Sequence, residues 1–432
     1  MTATLAASDI SLELVKTNPE NFDYVTAYEE GIGPEFLAEL RELLPKLKNV
    51  KMAHVNATAY GGGVAELLHR QIPLMNQLGK EVGFQSDWYI LKVSNTAFYD
   101  VTKKMHNTLQ GAPGELSAEE KDLYKKTQIE NFSEGLLNDY DVVLIHDPQP
   151  AGLIELYSKD RKGKWAWRCH IDTTTTNANV WGFIGAFAKQ YEAAIWTREQ
   201  FVQDKADFKE VKIIPPSIDP LSPKNYDLSE TQVDEVFHRY GIDRSRPVLC
   251  QISRFDPWKQ PVEVVKIYQE MKKEFPELQL IYAGSMATDD PEGMFYWEQT
   301  LRAAGLDKDV TILNNFHGVG NIEINAFQRG ADVMIQYSSK EGFGLTISEA
   351  MWKEQPIIGG RVGGIQDQIV DKDCGYLVST NEEVKTAIRE LLSNPEKRKE
   401  MGKKAKKRVQ DNFLITKEVG NYMKLAIGLL GR

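Results

Sequence analysis

From residue 51 onward the chain alternates short apolar runs with longer stretches of helical periodicity, and no other feature narrows its fold so far. The runs MAHVNAT, SDWYILKV, YDVVLIH, AWRCHI, AAIWT and VKIIPP form one series; PVLCQIS, LQLIYAG, VTILNNF, DVMIQYS, QPIIGG and GYLVS form a second. Short, largely apolar runs bounded by turn residues suit strands buried on both faces of a parallel sheet. The intervening segments, such as EVVKIYQEMKKEF, carry apolar residues at helical spacing and predict crossover helices. The expected class is α/β, with two Rossmann-like, doubly wound domains facing each other across a cleft. A length of 432 residues exceeds what one hydrophobic core usually supports, which agrees with two domains. Proline, serine and asparagine cluster in PPSIDPLSPKN at 215–225 and mark a linker. The boundaries expected are a mainly helical extension over 1–45, a first domain over 46–218, a second over 219–412, and a C-terminal helix over 413–432 packing back on the first.

Composition removes several function classes. With 62 acidic and 52 basic side chains the net charge is -10, which opposes loose attraction to nucleic acid or anionic lipid. No nucleic-acid or membrane partner is expected, and a phosphate ligand needs a local pocket. Cys169, Cys250 and Cys374 lie far apart beside apolar or aromatic residues and read as buried reduced thiols. The seven histidines show no HxH or HExxH spacing, so no metal site is expected. The start MTATLAASDISLELVK lacks a basic patch followed by an apolar run, and no 18-residue apolar stretch occurs, which predicts a cytoplasmic protein.

Ligands of open α/β sheets bind beyond the carboxyl ends of the strands, so residues that end a strand or open a helix are the candidates. In AYGGGVAELLHR, Gly61, Gly62 and Gly63 separate a strand from a helix, and would let an anion approach the free N–H groups of that helix. A tight turn is the simpler role, and Asp87, 24 residues beyond Gly63, keeps a nicotinamide site open as a rival. In ISRFDPWKQPVEVV, Arg254 and Lys259 flank a rigid Asp-Pro-Trp turn; a guanidinium fork and a point-charge ammonium suit a diphosphate, although exposed salt-bridge partners look the same. In SSKEGFGLTISEAMW, Glu341 precedes the Gly-Phe-Gly turn, and Phe343, Gly344 and Leu345 lead into a helix whose N–H groups would face outward. Glu349 has a structural alternative as the distal member of a capping box with Thr346.

Arg254 and Lys259, followed by Glu341 and Glu349 in the pattern E-x7-E, resemble the retaining sugar-nucleotide glycosyltransferases of family four, with GT-B architecture. The set NATAYGGGVAELLH, HDPQPAGLIE, WRCHID, PPSIDPLS, SRFDPWK, NAFQR and EGFGLTISEAMW is similar to the trehalose glycosyltransferring synthases and the related retaining trehalose phosphorylases, across residues 51–364. The resemblance implies that the N-terminal domain binds the acceptor and the C-terminal domain the nucleotide-sugar donor. It implies that Arg254 and Lys259 hold the donor diphosphate with the glycine loop and residues 343–345, that Glu341 faces the donor sugar and that Glu349 binds the ribose. His170 would steady the donor sugar, and Asp147, Gln149 and Asp172 would grip the acceptor. One departure is TTTTN after His170-Ile171-Asp172, where a serine- and proline-bearing segment is expected.

The implied activity is retaining transfer of glucose between NDP-glucose (UDP, ADP or GDP) and free glucose to give α,α-trehalose, or phosphorolysis of trehalose to α-glucose 1-phosphate. Without that context His170 reads as a structural residue and the aspartates Asp147 and Asp172 equally well as turn caps. A hydrolase, needing two carboxylates about the scissile bond, and a non-catalytic sugar-nucleotide binding module are further rivals. No tightly bound cofactor is implied; Mg²⁺ would arrive with the nucleotide phosphates. The N-terminal extension is a candidate contact surface for a homodimer.

Overall fold

The computed structural model describes residues 11–17, 22–60, 63–157, 161–286 and 292–432. The chain divides into two compact units, one of residues 1–215 with 415–432 and one of residues 216–414. The sequence had suggested 218 and 412 as the corresponding boundaries.

In the first unit seven strands form one sheet: β1 (Glu13–Leu14), β2 (Lys51–Asn56), β3 (Gln85–Ile90), β4 (Val142–His146), β5 (Lys164–Cys169), β6 (Ala193–Trp196) and β7 (Val211–Ile213). Their order is β1-β3-β2-β4-β5-β6-β7, parallel except for β1, which runs antiparallel to β3. Residues 142–146 are buried throughout, as covering helices on both faces require. Trp165, Trp167 and Trp196 fill the core with no exposed surface, and Trp196 meets Trp167 edge to face at 5.7 Å.

The N-terminal segment, expected as a mainly helical extension, holds two α-helices and one short strand among its described residues. It contributes the edge strand β1, while its helices Tyr24–Ile32 and Glu35–Leu43 pack on the helices Gly63–Gly79 and Ile415–Leu430 of the same unit. The physical reason is amphipathicity: Tyr28, Leu37 and Leu40 form an apolar face that is fully buried here, and Lys417 pairs with Glu39 at 3.4 Å along the exposed rim. That face is therefore spent within the unit rather than offered to a second chain.

The second unit holds six parallel strands, β8 (Val248–Ile252), β9 (Gln279–Gly284), β10 (Val310–Asn314), β11 (Val333–Gln336), β12 (Ile357–Gly360) and β13 (Gly375–Val378), in the order β10-β9-β8-β11-β12-β13. Each apolar run of both series has become a strand. In each sheet the first strand of the parallel series, β2 or β8, has its two neighbours reached by crossovers in opposite directions. The strand order thus reverses between β2 and β4 in one unit and between β8 and β11 in the other, and such a reversal opens a crevice at the carboxyl ends.

Gly284 ends β9 beside the turn that follows β8. A Cβ there would stand 1.9 Å from the Ser253 carbonyl oxygen, a distance no rotamer change relieves. Gly284→Ala is expected to cost about 3 kcal/mol through this overpacking and to lower the thermal midpoint by several degrees; a melting curve superimposable on that of the parent would show that the two strands are not so tightly apposed.

Candidate functional site

At the reversal point of the second unit, two segments are stitched together. After β8, Asp256 caps a short 3-10 turn at Pro257–Lys259 by accepting from the Lys259 N–H at 3.1 Å, and Gln251 Nε2 donates to the Lys259 carbonyl at 2.9 Å. After β11, Ser339 N–H donates to the Trp258 carbonyl at 2.8 Å. These contacts set the Lys259 ammonium against the Glu341 carboxylate, Nζ to Oε2 2.5 Å, with both side chains about one-eighth exposed. Ser338 Oγ donates to the same oxygen at 3.5 Å. Arg254 is half exposed, its Nη2 3.5 Å from Asp256 Oδ2.

Gly344 holds φ +85° as the N-cap of the helix Leu345–Trp352, with no side-chain cap. The left-handed backbone admits glycine at little cost, and the helix N-terminus is left with its partial positive charge uncapped by a side chain. The turn 342–344 approaches residue 364 so closely that a Cβ on Gly364 would lie 2.6 Å from the Gly342 carbonyl oxygen. Gln368 Nε2 donates to the Phe343 carbonyl at 2.6 Å and holds the turn from behind.

Glu349 is not the capping residue that its spacing from Thr346 allowed. The helix is capped at Gly344, two residues before Thr346, and Glu349 is buried, accepting from Gln328 Nε2 at 3.4 Å with Lys224 Nζ 3.9 Å away. One turn on, buried Lys353 donates to Asn225 Oδ1 and to the Glu349 carbonyl, both at 2.9 Å. Burial lowers the Lys353 ammonium to about 7, against the opposing pull of the Glu349 carboxylate.

In the first unit the reversal point carries a different kind of chemistry. Asp147, immediately after β4, has φ +65°, and its Oδ1 accepts from the His170 N–H at 2.8 Å. Its own N–H donates to the Arg168 carbonyl at 2.7 Å, so the strained residue is fixed from both sides. Burial raises the Asp147 carboxyl to about 6, partly offset by the His170 N–H and by Arg168. Gln149 keeps a buried Oε1 with no hydrogen-bond partner among the described residues, an acceptor that a ligand hydroxyl would satisfy. Asp172 is engaged as a turn residue, Oδ1 accepting from the Thr174 N–H at 3.0 Å. In the departing segment TTTTN, Thr173 Oγ1 donates to the Phe201 carbonyl and Asn177 caps the helix Ala178–Ala188.

Gly63 opens the helix Gly63–Gly79, whereas Gly61 and Gly62 lie outside the described residues. Asp87, the candidate ribose acid of a nicotinamide site, is the third residue of β3 rather than a residue beyond its end. Its Oδ2 already accepts from Gln85 at 2.8 Å and from the Tyr140 hydroxyl at 2.7 Å. The three thiols are all buried.

Residues 54–203 match the model of the trehalose synthase N-terminal domain, and residues 232–408 match that of glycosyl transferases group 1. The trehalose synthase of Pyrococcus horikoshii is 45% identical over 405 residues, covering 94% of this chain and 96% of that protein. The chain belongs to the trehalose synthase family. A trehalose phosphorylase from Pleurotus pulmonarius is 26% identical over 460 residues, 94% of this chain and 61% of that protein. Among solved structures, a UDP-forming α,α-trehalose-phosphate synthase from Burkholderia xenovorans superposes with a TM-score of 0.68 at 14% identity, over 88% of this chain and 99% of that one. Trehalose synthases of this kind are glycosyl-transferring enzymes of the GT-B fold, and no helix among the described residues is long and apolar enough to cross a membrane.

Sequence reading missed several neighbours of these groups in the trehalose synthase site. Lys353 sits four residues after Glu349 on one helix face, a spacing that flags an interacting pair. Lys224 and Asn225 were absorbed into the linker, and Gln328 and Gln368 carry no local signature.

Asp147 yields a pH prediction. Its folded-state carboxyl holds a proton more tightly than the ordinary value of 3.8, so stability falls as pH rises from about 4 to about 6 and stays reduced above. Asn keeps the acceptor for the His170 N–H and tolerates positive φ. Asp147→Asn is therefore expected to be more stable than the parent at pH 7, by about 1–2 kcal/mol after allowing for partial solvation, with no advantage near pH 4. Equal stabilities at both pH values in paired thermal scans would remove the buried-carboxylate account.

Proposed function

We propose that the protein transfers glucose reversibly from a nucleoside diphosphate glucose to the anomeric hydroxyl of free glucose, giving α,α-trehalose with retention. The observation that carries this reading is the Lys259–Glu341 pair at the strand-order reversal, beside a helix N-terminus uncapped by a side chain. A diphosphate seated there would meet Lys259, Arg254 and the N–H groups near Phe343, Gly344 and Leu345, and Lys259 would be shared between phosphate and Glu341. As the donor C1–O bond breaks, negative charge develops on the leaving diphosphate, where these donors stabilise it most. The acceptor hydroxyl forms the new C1–O bond from the same face and gives its proton to a diphosphate oxygen.

Glu341 would then face the donor sugar and Glu349 the ribose hydroxyls; among the described residues the buried Glu349 carboxylate has the long contact from Gln328 and the distant Lys224. His170 would donate to the donor sugar, and Asp147, Gln149 and Asp172 would receive the acceptor glucose. Mg²⁺, where used, would come with the nucleotide's own phosphates. Orthophosphate in place of the nucleotide is the second reading, favoured by the match to a trehalose phosphorylase, since the same cations would hold it.

Lys259→Ala and Arg254→Ala are each expected to lose ~10²-fold to 10³-fold in turnover; near-parental steady-state rates in both would sink the assignment. Glu349→Ala is expected to weaken nucleotide binding in calorimetry. Incubating trehalose with phosphate, or with UDP, ADP or GDP, identifies the carrier by the glucosyl product formed, and no product with any nucleotide would discard the synthase reading.

A further inference from the structure

Three histidines stand in line beneath the strand ends of the first unit, each from a different part of the sheet. His54 on β2 and His146 on β4 are buried, and His170, directly after β5, is partly open. His54 Nδ1 lies 3.0 Å from His146 Nε2, and His146 Nδ1 lies 3.2 Å from His170 Nε2. The ring centroids are 5.3 and 5.5 Å apart with interplanar angles of 19° and 18°. The rings therefore meet edge to edge in nearly one plane, as a head-to-tail chain of N–H to lone-pair contacts requires.

Both ends of the chain dictate its direction. At the open end Arg168 Nε is 3.2 Å from His170 Nε2. A guanidinium nitrogen has only a proton to offer, so His170 Nε2 must be bare. His146 Nδ1 then donates to the same atom, and its Nε2 is left to accept from His54 Nδ1. At the closed end His54 Nε2 is buried with no partner among the described residues. A bare acceptor is the less costly group to leave there, because orphaned buried N–H groups are the rarer case. The reverse direction fails twice: it would set two N–H groups against each other at Arg168 and bury an unpaired N–H on His54. Arg168 is itself fixed by Glu418, Nη2 to Oε1 3.5 Å with both side chains essentially unexposed, and Tyr422 donates to that same oxygen at 2.9 Å.

We infer that His54, His146 and Arg168 are positioning residues that lock His170 as a neutral Nδ1–H tautomer, so that it presents one N–H donor to the sugar and is unavailable as a general base or a cation. His170 Nδ1 makes no hydrogen bond among the described residues, and unlike the fully buried His54 Nε2 it lies on the partly open ring of the relay. Among the described residues, the ionisable groups against the relay or against Arg168 are Asp147, Arg168, Glu418 and Tyr422, with Asp172 two positions along the chain from His170. Burial, with Arg168 as a further cause, holds His170 neutral well below the ordinary histidine range, and burial with the neighbouring rings does the same for His146. That the acceptor of this N–H is a sugar hydroxyl depends on the proposed function; the tautomer does not.

The test is a long-range proton–nitrogen NMR spectrum of the full chain with ¹⁵N-histidine, without substrate, assigned by His54→Phe, His146→Phe and His170→Phe. His54, His146 and His170 are expected to stay neutral, protonated on Nδ1 and bare on Nε2, from about pH 5.5 to about pH 8, while exposed rings titrate. An Nε2-protonated or titrating His170 would overturn the inference whatever the substrate proves to be. In the transfer assay His146→Phe is expected to lower kcat about tenfold with KM little changed, and His146→Gln, which restores an N–H donor, to recover part of it. A folded His146→Phe with parental kcat would reduce the relay to a structural role, and absent transfer in the parent alongside the expected spectrum would instead condemn the proposed function.

Discussion

Parallel strands joined by crossover helices leave an opening only where successive crossovers depart to opposite faces, and that constraint decides where chemistry can stand in this chain. In the second unit the opening lies between β8 and β11. The segments that emerge there, 253–259 and 338–345, carry Arg254, Lys259, Glu341 and the glycine turn. In the first unit it lies between β2 and β4, with Asp147 directly after β4 and His170 directly after the adjoining strand β5. Close approach then replaces bulk: a Cβ atom at Gly284 or Gly364 would force apart the turns that aim these groups.

The polar groups so placed are expensive to keep. A buried ion pair is often no more stable than apolar residues of the same volume, yet removing one partner leaves an uncompensated charge. Arg168 with Glu418, and Lys353 beside Glu349, are therefore poor explanations of stability and better explanations of position. Arg168 sets the orientation and protonation of His170. Lys353 donates to Asn225 and to the Glu349 main chain, tying the helix that carries Glu349 to the segment entering the unit, rather than neutralising the carboxylate directly.

Strand sites were readable because an apolar run between turn residues has few other uses in a chain of this size. Each run of the two series became a strand, while β1, only two residues long, is too short to show any periodicity. Glu341 and Glu349 were visible through their spacing about Gly-Phe-Gly; the reason Glu349 does not cap its helix, an N-cap at Gly344 two residues before Thr346, is a matter of backbone geometry that composition does not encode. His54 and His146 were legible in hindsight as polar residues inside MAHVNAT and YDVVLIH, since a buried strand admits a polar side chain only with a partner. What no local pattern could supply is the partner itself. The contacts between His54 and His146, 92 residues apart, and between Arg168 and Glu418, 250 residues apart, exist only once the sheet is ordered.

The two units handle charge in opposite ways. The second gathers cations, a helix N-terminus and paired carboxylates, while the first strips charge from three imidazoles and raises a carboxyl toward neutrality. A diphosphate leaving group demands fixed positive charge that strengthens as the bond breaks. A hexose has no charge to match, and is recognised by hydrogen bonds whose donors and acceptors must each face the right way, because a mispaired buried group costs more than a good pair returns. An imidazole free to ionise or to exchange tautomers would offer a hydroxyl either role. Locking it removes that ambiguity before any ligand arrives, so the ordering is borne by folding and not by binding. The proposed transfer would need this division of labour, and the protonation states set by folding already supply it.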